Sequence, residues 1–439
     1  ILEEKMNNLI IKDLNMFFIE DNNIKHKYFQ ELYVKDGNIC FVAPENTNDF
    51  KTLDMQGRAA FHGVVNFHHH IYSQLAKGMP VSGDFSNFYN VLVNMWWKLD
   101  KVLFEEAVEC SAEIAAVECI KNGVSTVFDH HASFDFIEGS LNKVGRILEK
   151  YGIDSCLCFE VSDRNGKEVF ERSVDENISY LEQCKLEKNR TAMFGLHAPF
   201  TLSDSSLAII RERTKGEYPM HFHMAEDILD VLSSWKDFGD DIVRRMEKFD
   251  LLTPGTLTAH CNHLSETQLN LLSSKNIAIA HNPASNMNNA VGTLGFEKVI
   301  DHKGIRFLPG TDGMTADVLS SMKDAFLLYR HNQHDSTIGF ELIERMFMDS
   351  KKFVDFHFSG NWVFEEGSKA NITVFDYIPY TPIDANNFLG HFIYGITETK
   401  AYSLINNRLL LDAGKLVGID EKALCDKAVK VSENLWKKL

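Results

Sequence analysis

The feature that most constrains the fold is a series of eight short apolar runs, each of which ends in polar or histidine-bearing residues. Helical stretches separate the runs; one of them, 104–122, ends at Gly123, in the position of a C-cap glycine. Eight buried strands that alternate with helices predict an α/β fold, a (β/α)₈ barrel of the TIM type. The runs are GVVNFHHH, VSTVFDHH, SCLCFEVSD, AMFGLHAP, PMHFHMAE, TLTAHC, IAIAHNP and IRFLPGTDG.

The two ends of the chain differ from the middle in their residue composition. Segments such as NLIIKDLNMFFI and KANITVFDY are rich in β-branched and aromatic residues, and Asp-Gly and Pro punctuate their surroundings. We therefore expect a small β-sandwich domain assembled from both termini, with a closing helix near EKALCDKAVKVSENLWKKL. The predicted division is 1–60 for its N-terminal part, 61–357 for the barrel and 358–439 for its C-terminal part.

Composition narrows the functional class. The net charge of −17 argues against nucleic acid or an anionic membrane as the main partner, because both require clustered Lys and Arg. No apolar run approaches the roughly 20 residues of a membrane span. Glu3, Glu4 and Lys5 speak against a secretory signal. Since no CxxC pair occurs among the eight cysteines, neither a disulfide framework nor a thiolate zinc site is favoured, and we expect a cytoplasmic enzyme.

Histidines with strand spacing end the first and fifth runs. His68 and His70 are two residues apart, so on a strand both side chains point the same way while His69 faces the other side. Neutral imidazoles suit zinc or iron. His221 shares a face with His223 but lies deeper, where a structural histidine is the alternative to a ligand.

Other strand ends also carry polar residues. His223 is followed by Glu226, which is either a general acid and base or a helix N-terminal glutamate stabilised by the helix dipole. Asp312 before Gly313 could be only a turn former. Because polar groups that converge on one barrel mouth cost stability, the whole set indicates function. It also includes His130, His131, His197, His260 and His281.

In this order the motifs HxH, HxxE, AH, HNP and TDG resemble the amidohydrolase superfamily, in the branch of guanine deaminase and the chlorohydrolase-like triazine hydrolases. The segments WWKLD, DHHAS, SDRNG, HAPFT, HMAED, HNPASNMNNAVG and GTDGMTAD are similar to the SsnA group of aminohydrolases, over nearly the whole chain. The resemblance implies a metal-dependent hydrolase of a non-peptide C–N bond. The implied reaction is deamination of an amino-substituted, purine- or pyrimidine-like heterocycle.

The resemblance also implies roles for individual residues. Glu226 matches the proton shuttle, and His260 matches the residue that hydrogen-bonds the attacking water or the developing alkoxide. Asp312 matches both a ligand and the group that accepts the proton of that water. The matching metal ligands are His68, His70, His223 and Asp312.

Five residues are predicted to contact substrate. His197 and Asp100 match positions at which the family contacts substrate. Trp97 belongs to an aromatic segment that either stacks on a planar ring as part of a lid or packs against the barrel wall. Arg164 is a candidate polar contact in a loop, and His281 is a candidate at the end of the seventh strand run.

The chain departs from the family at three places. Binuclear relatives bridge their metals with a carbamylated Lys at the end of the fourth strand, where this chain has His197. We therefore predict one divalent ion, with Zn²⁺ as the first choice and Fe²⁺ or Mn²⁺ as alternatives. His62 stands where Pro is usual and Asn371 where Asp is usual. Neither belongs to the predicted metal set.

Other functions remain open at this stage. The same residues would serve ring opening of a cyclic amide or dechlorination of a triazine-type ring. A catalytically dead barrel that serves as a binding scaffold is a third alternative, although the predicted ligands and Glu226 are all present. The expected partner is a small heterocyclic substrate, and the resemblance implies a homodimer or larger homo-oligomer.

Overall fold

A computed structural model describes residues 7–359 and 362–439, so Glu3, Glu4 and Lys5 lie outside the described residues. Within the described ranges, the predicted fold is confirmed: parallel barrel strands and a largely antiparallel sheet drawn from both termini. None of the helices in these ranges combines the length and the apolar character needed to cross a membrane. The eight cysteines all lie in the described ranges, and each is a free thiol.

The described residues form strands and helices in the following order. The strands are β1 (Leu9–Glu20), β2 (Asn23–Lys35), β3 (Asn38–Cys40), β4 (Lys51–His62), β5 (Val64–His69), β6 (Val124–His131), β7 (Asp154–Phe159), β8 (Arg190–Ala192), β9 (Phe194–Gly195), β10 (Met220–Met224), β11 (Leu257–His260), β12 (Ala278–His281), β13 (Arg306–Pro309), β14 (Asn371–Phe375), β15 (Ala401–Asn406), β16 (Leu409–Asp412) and β17 (Lys415–Leu416). The helices are α1 (Phe88–Val91), α2 (Trp97–Val102), α3 (Glu105–Lys121), α4 (Ser140–Tyr151), α5 (Lys167–Cys184), α6 (Asp204–Thr214), α7 (Ile228–Ser233), α8 (Ile242–Lys248), α9 (Glu266–Ser274), α10 (Pro283–Asn288), α11 (Val318–Gln333), α12 (Phe340–His357), α13 (Phe388–Gly390) and α14 (Glu421–Trp436).

The barrel consists of β5 to β13 and corresponds to the eight predicted runs. Strands β5 to β8 pair in order and in parallel, as do β9 to β13. β8 and β9 are two halves of the fourth run, separated by Met193. The barrel closes where the backbone N–H groups of Thr311 and Asp312 donate to the carbonyl of His68, at 3.0 and 2.9 Å. All strand ends that carry histidines therefore meet at one mouth.

Burial on both faces explains why the barrel strands read as continuous apolar runs. All residues of β5 and of β6 are buried, because helices cover the outside and other strands' side chains fill the inside. Before β6, α3 ends at Lys121 and Gly123 has φ of +72°, as the C-cap glycine predicted. A Cβ there would lie 2.4 Å from Thr373 Cγ2, so the terminal sheet also requires glycine at this position.

The terminal sheet joins both ends of the chain. β4 pairs in parallel with β1 and antiparallel with β14, where His62 lies opposite Ile372. The strand order is β17-β16-β15-β14-β4-β1-β2-β3. β4 runs directly into the first barrel strand, which fixes the sheet against the end of the barrel remote from the histidines. The division at residues 60 and 357 stays a prediction.

Arg245 in α8 fastens the loop that follows the fourth run. Its guanidinium is fully buried, donates to the carbonyls of Pro199 and Leu202 at 2.7 and 2.5 Å, and pairs with Asp204 Oδ1 at 2.7 Å. It also lies 3.4 Å from the ring centroid of Phe238. Since five donors in a rigid plane match this set of acceptors, the loop after His197 has one defined conformation.

Arg245→Leu should lower the free energy of unfolding by about 3–5 kcal/mol, because a buried network loses its donor and two carbonyls lose their hydrogen bonds. Urea denaturation followed by circular dichroism measures this change. Arg211→Leu is the matched control: it removes an exposed ion pair with Asp250, so a loss under about 1 kcal/mol is expected. Equal losses in both variants would contradict the assigned role of Arg245.

Candidate active site

Four side chains at the barrel mouth aim their ligand atoms at one point. Two leave the end of β5, one leaves β10 and one follows β13, so three separate strands contribute. Their ligand atoms all lie within 4.8 Å of one another. The shortest separations are 2.9 Å between His70 Nε2 and Asp312 Oδ1 and 3.1 Å between His70 Nε2 and His223 Nε2. The four residues are His68, His70, His223 and Asp312.

The hydrogen bonds of the imidazoles fit a divalent cation. The Nδ1 atoms of His70 and His223 bond to the backbone carbonyls of His130 and His197, at 2.7 and 2.8 Å. A carbonyl only accepts, so Nδ1 carries the hydrogen, and in the neutral form of each ring Nε2 presents a lone pair. His68 Nε2 is buried without a hydrogen-bond partner among the described residues. Lone pairs and a carboxylate that converge in this way are typical of a bound metal, and neutral imidazoles suit zinc.

The electrostatics of the group favour a positive charge. Burial opposes ionisation of Asp312, but the adjacent His68 and His70 rings hold its pKa well below the ordinary range. Burial also opposes charging of His70, yet the contact with Asp312 raises its pKa to about 9. Burial lowers the pKa values of His68 and His223 well below the ordinary value. The carboxylate is thus ionised among rings that are mainly neutral.

A second group shares Asp312 with the first. His260 Nε2 lies 3.6 Å from Glu226 Oε2 and 3.8 Å from Asp312 Oδ2. Burial and the charge of Asp312 raise the pKa of Glu226 well above its ordinary value, so this carboxyl retains its proton more readily. Burial lowers the pKa of His260. A carboxyl group with a raised pKa and an imidazole therefore lie beside the four-ligand group.

The backbone is strained at the same place. Ala225, His260 and Asp312 have φ angles of +48°, +72° and +56°, in the left-handed region that residues with a Cβ rarely adopt. His260 and Asp312 are themselves residues of the site, and Ala225 directly precedes Glu226. Such conformations cost on the order of 1–3 kcal/mol each and are found where function requires a particular side-chain direction.

A central cavity extends from this group toward solvent. Its walls combine aromatic rings from the segment before α3 with carboxylates and histidines. His197 at its wall bonds through Nδ1 to Thr201 Oγ1 at 2.9 Å and lies 6.0 Å from the ring of Trp97. The lining residues include His70, Tyr72, Phe88, Leu92, Trp96, Trp97, Asp100, Glu160, His197, Phe200, His223, Glu226, Asp227, Asp230, Ser285, Asn288, Asn289, Asp312 and Met314.

Asp100 and Glu160 form a charged cluster with Arg164 at the wall of the cavity. Both Arg164 amino groups lie 3.1 Å from Asp100 Oδ2, and one of them also contacts Glu160. The guanidinium lies 4.7 Å from the Trp97 ring. Burial raises the pKa of Asp100; burial also opposes ionisation of Glu160, but His197 and Arg164 lower its pKa. Arg164 is itself not part of the cavity lining, so its contact with substrate stays a prediction.

His281 is not brought to this cavity. Its ring lies 5.1 Å from that of Phe307, and it lines a separate cavity beside α11. The strand-end position was correctly located, but a side chain there can point either into the barrel mouth or outward between strand and helix. The contact of His281 with substrate, expected from its position alone, therefore has no support in the geometry.

The remaining strand-end histidines serve as hydrogen-bond partners. His130 Nε2 bonds to the carbonyl of Leu196 at 2.8 Å, and His131 Nε2 contacts Ser133 Oγ at 2.9 Å. His221 Nε2 lies 2.9 Å from His68 Nδ1, and His69 Nδ1 bonds to the carbonyl of Asp312 at 2.8 Å. None of these four residues belongs to the metal-ligand group of the described chain.

Three residues of the site were not anticipated. Glu160 follows β7 and joins the charged cluster described above. Ser285 Oγ donates to Asp312 Oδ2 at 2.5 Å, and Asn289 Nδ2 lies 3.4 Å from Glu226 Oε1. The only signal available in the sequence was their position directly after a barrel strand, since the motif HNPASNMNN follows the seventh. Polar residues in such loops are too common to select these.

Comparison with known proteins assigns the chain to a family. The Amidohydrolase family model matches residues 60–400. A 5'-deoxyadenosine deaminase of Methanosarcina barkeri is 24% identical over 413 residues, which cover 92% of each chain.

Solved structures share the fold. An adenosine deaminase from Xanthomonas campestris with bound zinc superposes with a TM-score of 0.80 and 17% identity, covering 97% of this chain and 99% of that one. A mutant of atrazine chlorohydrolase from Arthrobacter aurescens, complexed with zinc and atraton, has a TM-score of 0.80 and 16% identity, covering 97% and 100%.

His223→Ala should reduce the zinc that the protein retains after dialysis, because the ion would lose one of its ligands. The apparent affinity should fall by more than the roughly 10- to 100-fold that the loss of an outer-shell partner costs. Competition with a chromogenic chelator and elemental analysis measure the affinity and the content. His281→Ala, another buried histidine at a strand end, should retain zinc like the unmodified protein. Unchanged zinc affinity in His223→Ala would refute the ligand assignment.

Proposed function

The chain belongs to the amidohydrolase family, as a hydrolase of non-peptide C–N bonds, and we propose that it deaminates an amino-substituted heterocycle related to a purine or pyrimidine. The observation that carries the proposal is the position of Glu226. Its carboxyl lies beside the four-ligand group and inside a cavity with aromatic walls, where a planar ring can be held and a leaving amine protonated. The relatives that support it include the 5'-deoxyadenosine deaminase.

The proposed cofactor is a single Zn²⁺ held by His68, His70, His223 and Asp312. A divalent ion bound there would lower the pKa of water from 15.7 to about 7 and so supply a nucleophile at neutral pH. A single ion is proposed because His197 follows the fourth strand, at the position where binuclear relatives carry a bridging lysine.

In the proposed reaction, two carboxyl groups carry out different proton transfers. Asp312 is ionised, and its Oδ2 faces both Ser285 and His260, so it can accept a proton from the attacking water. Glu226 Oε2 lies 3.6 Å from the same nitrogen, His260 Nε2, that Asp312 Oδ2 approaches. It can donate its proton to the ring nitrogen of the heterocycle. It can then take the hydroxyl proton of the adduct as the C=O bond forms and pass that proton to the departing amine, after which the proton held by Asp312 restores the Glu226 carboxylic acid. In this scheme His260 steadies the oxygen that attacks the ring carbon.

The aromatic side of the cavity would hold the heterocycle. The rings of Trp97 and His197 lie 6.0 Å apart and both line the cavity, and Phe88 and Trp96 complete the covering segment. These rings both pack against one another and line the cavity, so the two interpretations of the aromatic segment are compatible. Asp100 and Glu160 would then accept hydrogen bonds from the polar edge of the substrate.

Ring opening of a cyclic amide and dechlorination of a triazine are the alternative reactions. Dechlorination has the fold of atrazine chlorohydrolase in its favour. Either would release a product other than ammonia, so product analysis separates them from deamination. A binding scaffold without catalysis is disfavoured because all four ligands and Glu226 are present with intact geometry.

We also propose that the enzyme acts in the cytoplasm as a homodimer or larger homo-oligomer. Eight free cysteines, of which Cys425 is exposed, suit a reducing compartment. The oligomeric state is carried over from the family resemblance and is measurable by light scattering.

Glu226→Gln should abolish ammonia release, by at least about 100-fold, while zinc content stays near that of the unmodified protein, because the amide cannot shuttle a proton. The assay is ammonia release from zinc-loaded protein across a panel of adenine-, guanine- and pterin-like compounds and their nucleosides. Glu212→Gln, an exposed residue on α6, should be fully active. Ammonia release by Glu226→Gln at the unmodified rate would contradict the proposal.

Phosphorylated substrates should be poor. No Lys or Arg is among the described residues that line the cavity. Six residues with carboxyl groups do line it: Asp100, Glu160, Glu226, Asp227, Asp230 and Asp312. Like charges placed together cost several kcal/mol. For any nucleoside in the panel that is turned over, kcat/KM for its 5'-monophosphate should be lower by at least about 100-fold. Comparable turnover of both forms would show that the phosphate remains outside the cavity or finds a cation elsewhere.

A further inference from the structure

Two buried asparagines behind the site have amide orientations that backbone groups determine. The N–H of Leu294 donates to Asn262 Oδ1 at 3.2 Å, and Asn262 Nδ2 donates to the carbonyl of Glu226 at 3.0 Å. A backbone N–H only donates and a carbonyl only accepts. The oxygen and nitrogen of Asn262 can therefore be assigned from their partners.

Asn262 in turn determines the orientation of Asn286 in α10. The two amides form a reciprocal pair: Asn286 Nδ2 donates to Asn262 Oδ1 at 3.0 Å, and Asn262 Nδ2 donates to Asn286 Oδ1 at 3.2 Å. Reversing Asn286 would oppose two NH₂ groups and two oxygens, and both bonds would be lost. Asn286 Oδ1 consequently faces His260 Nδ1, at 2.8 Å.

This contact determines which ring nitrogen of His260 carries the hydrogen. An amide oxygen only accepts, so His260 Nδ1 is the donor, and in the neutral ring Nε2 then has a lone pair. That Nε2 is buried, has no hydrogen-bond partner among the described residues, and lies 3.6 Å from Glu226 Oε2 and 3.8 Å from Asp312 Oδ2. The lone pair is therefore on the side of the ring that faces these two carboxyls.

We propose that Asn286, held by Asn262, is a positioning residue that keeps His260 in the Nδ1–H tautomer, so that His260 Nε2 accepts a hydrogen bond from the nucleophilic water. The role toward water rests on the proposed function, whereas the tautomer does not. By accepting a hydrogen bond from one O–H of the water, His260 thus orients the oxygen lone pairs toward the ring carbon. A histidine with the hydrogen on Nε2 would instead compete for those lone pairs.

The amide pair also connects His260 to the backbone of Glu226. Asn262 holds the Glu226 carbonyl, and Asn286 holds the His260 ring, so a single pair of side chains sets the distance between the two groups. All three side chains, of Asn262, Asn286 and His260, are at least nine-tenths buried. A purely structural amide would stabilise the fold without selecting a tautomer, and this difference is measurable.

The test is long-range proton–nitrogen NMR on ¹⁵N-histidine-labelled, zinc-loaded protein, with the His260 signals assigned by their loss in His260→Gln. Hydrogen on Nδ1 and a free Nε2 are expected in the unmodified protein. Asn286→Ala should shift the ring toward the Nε2–H form, and Asn286→Asp, which retains an acceptor, should keep the hydrogen on Nδ1. Hydrogen on Nε2 in the unmodified protein would overturn the proposal even if no variant folds.

Kinetics provide the second measurement. Asn286→Ala should lower kcat for ammonia release by about 10- to 100-fold, with zinc content unchanged and partial recovery in Asn286→Asp. Asn406→Ala removes another buried amide, one in the terminal sheet that donates to the carbonyls of Ser125 and Gly152, and should leave the His260 tautomer unchanged. An Nδ1–H tautomer that persists in Asn286→Ala would refute the proposal. Absence of ammonia release from unmodified protein would refute the proposed deamination and leave the tautomer result intact.

Discussion

Asp312 carries the interaction on which both the barrel and its site depend. Its backbone N–H closes the barrel on the His68 carbonyl, and its own carbonyl accepts from His69. Its carboxylate lies 2.9 Å from His70 and accepts from Ser285. The seam of the barrel and the centre of the candidate site are therefore the same residue, and displacement of one would displace the other.

This dual role of Asp312 explains why the barrel mouth contains features that reduce the stability of the fold. Ala225, His260 and Asp312 adopt left-handed backbone conformations, and several histidines are buried as neutral rings. Burial of unpaired polar atoms and backbone strain both reduce stability. The apolar barrel interior and the network around Arg245 offset that cost at a distance from the site. A mouth built only for stability would contain none of these features.

The electrostatic character of the cavity differs between its floor and its walls. At its floor, the histidines and Asp312 converge on a position suited to a cation, while its walls carry carboxyl groups and aromatic rings. Arg164 is covered by Trp97 and Asp100 and so does not offer its charge to the cavity. A neutral planar compound with hydrogen-bond donors at its edge suits such a space better than an anion does, which is consistent with the nucleoside deaminases among the relatives.

Local rules were sufficient to predict the eight strands, the helix that ends at Gly123 and the common direction of His68 and His70, because side-chain alternation and capping depend only on neighbouring residues. The order of the motifs was sufficient to identify the family. Contacts between distant segments were decided only by the tertiary structure. The sequence does not reveal that His281 points away from the cavity, that Arg164 is taken up by Asp100 and Glu160, or that Ser285 and Asn286 support Asp312 and His260. Those outcomes depend on how loops from different strands meet, and no local pattern encodes that meeting.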